Sequence, residues 1–160
     1  TDATHEEVTL TERPVRIANC SGFFGDRLSA AREMVDGGPI DVLTGDWLAE
    51  LTMGVLLRQR LRDPEDGGYA RTFVTQMRDV LGDCLDRGIK VVSNAGGLNP
   101  RACVRAVEEV AAGLGRDVRV ACITGDDVTD LVRQRLEDGW EAPHLDTGAS
   151  QLGRGDLDPA

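Results

Sequence analysis

Glycines recur with amides or acidic side chains at four places along the chain, each directly behind a short apolar run. These are Asn19-Cys-Ser-Gly-Phe-Phe-Gly-Asp-Arg27, Thr44-Gly-Asp46, Ser93-Asn-Ala-Gly-Gly-Leu-Asn-Pro100 and Thr124-Gly-Asp-Asp127. In the first, Gly22 and Gly25 permit a tight turn and leave backbone N–H groups near a helix start, where an anion can be seated. Ser21, Asp26 and Arg27 complete a candidate grip on the anionic end of a substrate. Phe23 and Phe24 are costly to expose and pack either on the domain or on a ligand, and Phe24 counts among the candidate contacts. Arg27 suits a ligand carboxylate or phosphate, with an ion pair to Asp26 or Asp46 as the alternative. Neither G-x-G-x-x-G nor a Walker lysine is present.

The second and fourth segments echo one another, each setting Thr-Gly-Asp behind an apolar run. Asp46, Asp126 and Asp127 are candidate acid/base groups, or ligands of a hard cation such as Mg²⁺, the one cofactor these loops suggest. The alternative is that these aspartates cap helices. In the third segment Asn94, with the backbone of Gly96 and Gly97, places donors suited to a carbonyl or developing oxyanion. Asn99-Pro100 reads as N-cap and first residue of a helix, with Asn99 also in reach of a ligand. Glu50 follows Asp46 by one helical turn, so both can face the same edge. Tyr69 and Arg71, after Gly67-Gly68, are candidate mobile contacts. His5 and His144 lie in a polar lead-in and near the tail, away from these loops, and no G-x-S-x-G surrounds any serine.

The elements that must hold these loops follow from periodicity. Apolar runs predict strands at 15–20, 40–43, 89–92 and 118–123. Helical spacing joins Leu28, Ala31 and Val35, then Leu48, Leu51 and Val55 in a helix from Trp47 to Leu61. It joins Phe73, Met77, Val80 and Cys84 in a helix from Tyr69 to Asp86 that Gly88 closes. Cys103, Val107, Val110 and Leu114 mark another, and 128–136 a last one. Strand, loop and helix in fourfold alternation predict an α/β fold, three-layered and doubly wound, with a mostly parallel sheet of about four strands and flanking helices. The order expected is 2-1-3-4, which puts the loops 21–27 and 94–99 astride a switch point.

At 160 residues the chain is the size of one domain, with a polar lead-in over 1–14, the α/β domain over 15–147 and a disordered tail over 148–160. The start at Thr1 rather than Met suggests processing or trimming, and no secretion signal or membrane span is visible. A net charge of −10 argues against nucleic acid and anionic membranes as partners, leaving a small-molecule substrate. Cys20, Cys84, Cys103 and Cys122 lack metal-type spacing and read as buried thiols of a reducing, cytoplasmic compartment.

The run Arg16-Ile-Ala-Asn-Cys-Ser-Gly-Phe-Phe-Gly-Asp-Arg27 resembles the acyclic terpene utilisation family AtuA, as do 41–50, Val91-Val-Ser-Asn-Ala-Gly-Gly-Leu-Asn-Pro100, 124–127 and His144-Leu-Asp-Thr-Gly148. The resemblance implies a setting in acyl-CoA metabolism of acyclic terpenes and branched acids, with CoA as part of the substrate. It also implies further α/β structure after Gly148, supplied by a longer chain, a second copy or a separate polypeptide. The expected function is therefore an enzyme component acting on a small acyl substrate by acid/base chemistry such as hydration, dehydration or hydrolysis. The alternative is a non-catalytic subunit or binding module. Either works as a homo-oligomer, or as a hetero-oligomer with a chain that supplies the missing C-terminal portion. The apolar surplus of 47–57 also points to a partner, unless that helix is simply buried.

Overall fold

The computed structural model describes residues 13–149 and 153–157. Most of the expected lead-in, with His5, lies outside the described residues, as do 150–152 and 158–160 of the expected tail. The chain divides into two compact units, Thr1–Val120 and Ala121–Ala160.

In the first unit, β1 (Ile17–Asn19) leads through α1 (Ala30–Asp36) to β2 (Val42–Gly45). Two helices follow, α2 (Glu50–Arg62) and α3 (Arg71–Arg87), then β3 (Lys90–Ser93) and α4 (Pro100–Gly113). All strand pairing is parallel: Ile17 stands opposite Val42, which stands opposite Lys90. The expected α/β class, a parallel sheet with flanking helices, is what the chain forms.

The strand order is β1-β2-β3, not the expected arrangement with β1 between β2 and β3. The reason lies at the start of β2. Asp41 accepts hydrogen bonds from the Arg16 backbone N–H at 2.8 Å and from both the Arg13 and Arg16 guanidiniums, while its carbonyl accepts from Lys90 N at 3.0 Å. One residue thus ties both neighbours to β2. An order without reversal, built with right-handed crossovers, puts successive helices on one side of the sheet. That side carries Ala18, Leu43 and Val91 under α1, α3 and α4. The opposite side is open: Ile17 is 64% and Val92 58% exposed.

The expected fourth strand at 118–123 forms no ladder in the described residues. Arg116 is held by Asp86 at 2.6 Å and only Val118 packs on the core, while Ile123 is 92% exposed. A run of β-branched residues becomes a strand only by pairing, and this one has no partner strand among the described residues. The same fact corrects one cysteine: Cys20, Cys84 and Cys103 are buried thiols as expected, but Cys122 is exposed.

Helix register follows the sequence in α3 and at the start of α4 but not in α2, where Thr52 and Leu56 are buried and Leu51 of the expected stripe is 82% exposed. Phe73, Met77, Val80 and Cys84 are all buried, and Gly88 ends α3 with a φ of 68°. Asn99 caps α4, its side chain accepting from Ala102 N at 3.2 Å, and Pro100 is the first helical residue. The second unit holds α5 (Thr129–Glu137) and a short 3₁₀ turn, Arg154–Leu157. No helix among the described residues is long and apolar enough to cross a membrane.

Leu43 is fully buried at the centre of the middle strand. Leu43→Ala is expected to lower unfolding free energy by about 2–5 kcal/mol, the usual range for truncating a buried leucine. Urea denaturation checks this, and a loss below 1 kcal/mol would show that β2 is not the core of the sheet.

Candidate functional site

Because the strands are parallel, the segments behind β1, β2 and β3 leave at one edge. Backbone bonds continue the ladder past the strands: Cys20 N donates to the Thr44 carbonyl at 2.8 Å, and Asp46 N to the Ser21 carbonyl at 2.9 Å. The third loop joins through Asn94. Its Nδ2 donates to Asp46 Oδ1 at 2.7 Å, and its Oδ1 accepts from Trp47 N at 2.9 Å. Asp46 Oδ1 also accepts from Leu48 N at 3.0 Å. Among the described residues Asp46 Oδ2 has no donor, and the side chain is exposed.

The Asn94 amide first, and the Leu48 N–H second, hold the Asp46 carboxyl below its ordinary pKa. Asp46 is therefore an ionised carboxylate at neutral pH, able to take a proton or grip a cationic or N–H group. It is not the cap of α2. The helix expected from Trp47 begins at Glu50, and its N-cap is Ala49. Gly45 explains the late start: a Cβ there would meet the Trp47 ring at 2.5 Å, so Trp47 folds back into the core, against Phe73 at 5.0 Å. Asp46 and Glu50 consequently do not share a helical face. Glu50 stands exposed in the first turn of α2.

The first loop is internally bonded. Asp26 accepts from Gly22 N at 3.0 Å and from Arg27 N at 2.8 Å, in that order the causes of its lowered pKa. Ser21 is buried and its hydroxyl donates to the Phe23 carbonyl at 3.0 Å. Arg27 pairs with Glu33 at 2.7 Å rather than with Asp26 or Asp46, and Glu33 is pulled down to about 2 by that contact. The Arg27 charge is thus already matched. Phe24 packs on the core and Phe23 is exposed. The helix behind this loop begins only at Ala30 and has seven residues, so it adds little dipole at the glycines.

Of the third loop's expected donors, Gly97 N is spent on the Asn94 carbonyl at 3.1 Å, while Gly96 N has no acceptor among the described residues. Gly97 is glycine for close packing: its φ is 49°, and a Cβ would lie 2.4 Å from Leu56 Cδ1. Asn99 is fully engaged, capping α4 and donating to the Glu65 and Gly67 carbonyls at 3.1 and 2.9 Å. Tyr69 is buried, with Arg71 over its ring at 5.9 Å. It borders a polar cavity of about 320 Å³ with Asp63, Asp66, Arg71 and Arg105.

Asp126 and Asp127 belong to the second unit. Asp127 accepts from Thr129 N at 3.1 Å, a cap-like bond at the start of α5, and Asp126 is exposed. The Thr-Gly-Asp echo is not structural: Gly45 lies in β2, whereas Gly125 has a φ of 119°. Among the described residues no group of three or more His, Cys, Asp or Glu side chains could hold a metal ion, so the expected divalent cation has no built ligand set there. Sequence reasoning missed Trp47, Thr72 and Gln76, whose polar atoms meet these loops. Helical periodicity marked α3, but no spacing rule says which of its polar residues turns inward.

The family model for the acyclic terpene utilisation family protein AtuA matches residues 15–158. No curated protein and no solved structure matches the chain.

Asn94→Leu removes the principal donor to Asp46, so the Asp46 pKa should rise toward the ordinary carboxylate range of about 3.9. A pKa depressed in the folded state stabilises above the unfolded value and is lost as pH falls through the folded one. The variant should therefore lose more stability above the ordinary carboxylate pKa than in acid, where Asp46 is protonated in both proteins, on top of a pH-independent loss of the Trp47 N–H bond. Carboxyl-resolved NMR titration checks it; an unchanged Asp46 midpoint would show that the amide does not set the charge.

Proposed function

As the chain belongs to the acyclic terpene utilisation family AtuA, we propose that the edge formed by its first three loops binds a small acyl substrate of branched or terpenoid type, as a CoA thioester. The observation that carries this reading is the Asp46–Asn94 hydrogen bond, which sets an ionised carboxylate beside an amide at the C-terminal edge of a parallel sheet. Open parallel sheets place ligands at that edge. Asp46 Oδ2 is the proton acceptor, taking a proton from water or from the carbon next to the acyl carbonyl. Gly96 N–H and the second Asn94 Nδ2 proton polarise that carbonyl. The first loop, Ser21 to Arg27, faces the anionic part of the ligand. The reaction class is acid/base chemistry: hydration, dehydration or hydrolysis. Asp126 and Asp127 stand as acid/base candidates of the second unit. The buried cysteines Cys20, Cys84 and Cys103 support a reducing, cytoplasmic setting.

Asp46→Asn keeps the hydrogen-bonding outline and removes the charge. Turnover of a panel of branched acyl-CoA thioesters, read by mass spectrometry, should fall by about 10²–10⁴ with the fold intact. Wild-type turnover in this variant would show that Asp46 is a structural loop residue.

A second reading, association with another chain, is favoured by surface apolarity. The alternative of a wholly buried α2 does not hold, since Leu51 is 82% exposed and Leu57 and Leu61 are also exposed. The open side of the sheet adds the exposed Ile17 and Val92 to this apolar surface, and exposed apolar patches mark association sites. Light scattering at micromolar concentration should give a mass above 17.2 kDa for the chain alone or with a co-expressed neighbour. A persistent monomer with full function would overturn it.

A further inference from the structure

Gln76 is buried on a face of α3 that is otherwise apolar, among Phe73, Met77 and Val80. A buried amide is costly unless bonded, and an apolar side chain would fill the space more cheaply. Its bonds all go to the first loop. Nε2 lies 3.3 Å from the Arg27 carbonyl and 3.5 Å from the Cys20 carbonyl, and Oε1 accepts from Cys20 Sγ at 3.7 Å. One helical turn earlier, Thr72 Oγ1 donates to the Phe24 carbonyl at 3.2 Å. Residues four apart share a helix face, so one side of α3 grips the loop at its start, middle and end.

That grip consumes acceptors and spares donors. The carbonyls of Cys20, Phe24 and Arg27 are taken by α3, that of Ser21 by Asp46 N, and that of Phe23 by Asp26 N. The N–H groups of Phe23, Phe24 and Gly25 have no acceptor among the described residues. We propose that Thr72 and Gln76 are the positioning residues of the candidate site: they fix the loop 20–27 by its carbonyls and leave its tip rich in donors for an anionic group. This rests on the reading that the loop faces the anionic part of the ligand. It adds that the loop is held from α3, an element outside all the glycine motifs.

The test uses Thr72→Val, Gln76→Met and the conservative Thr72→Ser, read by amide hydrogen exchange on the whole chain. Exchange at Gly22, Asp26 and Arg27 should rise about tenfold in the first two variants, as loss of one net hydrogen bond predicts. The amides of Leu43 and Val80 should keep their protection, and Thr72→Ser should restore wild-type rates in the loop. Loop exchange that stays at the wild-type rate, or rises only in step with Leu43 and Val80, overturns the proposal. If Gln76→Met does not fold, the half-buried Thr72→Val carries the test. Free coenzyme A then probes the underlying reading separately. Shifts at Phe23–Gly25 that weaken in Thr72→Val support both. Wild-type amides unmoved by coenzyme A, with a loosened loop in Thr72→Val, sink the ligand role of the loop while the positioning stands.

Discussion

Parallel pairing on both flanks of β2 sets the geometry of the first unit. A parallel neighbour cannot be reached by a tight turn, so each connection must cross back along the sheet. The chain therefore enters every strand at one edge and leaves at the other. Asp41 anchors the entry edge by binding Arg13 and Arg16 and receiving Lys90 N. At the exit edge the same pairing delivers Ser21, Asp46 and Asn94 to one another, through main-chain bonds and one side-chain amide. The site is thus an extension of the ladder rather than a set of loops that happen to meet.

The acidic composition divides into two uses. Most paired carboxylates bind arginines and hold elements together: Arg32 on α1 reaches Asp79 and Asp83 on α3 as well as Asp36 of its own helix. A helix of seven residues is not stable by itself, and these contacts supplement the burial of Ala30, Ala31 and Val35. Individually such exposed pairs contribute little, about 0–1 kcal/mol. Asp46 is different: its donors are neutral N–H groups, so it stays charged without a counter-ion among the described residues.

Much of this was legible in the sequence because it depends on local rules. Gly88 as a left-handed cap, Asn99-Pro100 as a helix start, and the buried stripe of α3 each follow from a few neighbouring residues. The three loops behind β1, β2 and β3 follow from strand periodicity and parallel topology, but the pairing of Asp46 with Asn94 does not, because it depends on β2 lying beside β3. What was not legible is long-range. Strand order depends on the Asp41 contacts, and the strand character of 118–123 on a partner rather than on its own residues. The start of α2 turned on Trp47, whose ring packs on the neighbouring strand end and pulls its backbone out of the helix. Arg27 found Glu33, six residues on, because no rule of spacing chooses among several nearby carboxylates.

The central place of β2 also gives its two junctions different closure costs. The contact that closes β1 onto β2, Arg16 with Asp41, spans 25 residues, whereas Asn94 with Asp46 spans 48. Chain-closure entropy makes the longer connection dearer by about 0.6 kcal/mol, and it encloses two helices rather than one. The β1-α1-β2 closure is accordingly the cheaper of the two. Asn94 belongs to the dearer one, so the amide that lowers the Asp46 pKa is in reach only when the third strand is paired. The lowered pKa of Asp46 is therefore a mark of a chain whose sheet is complete.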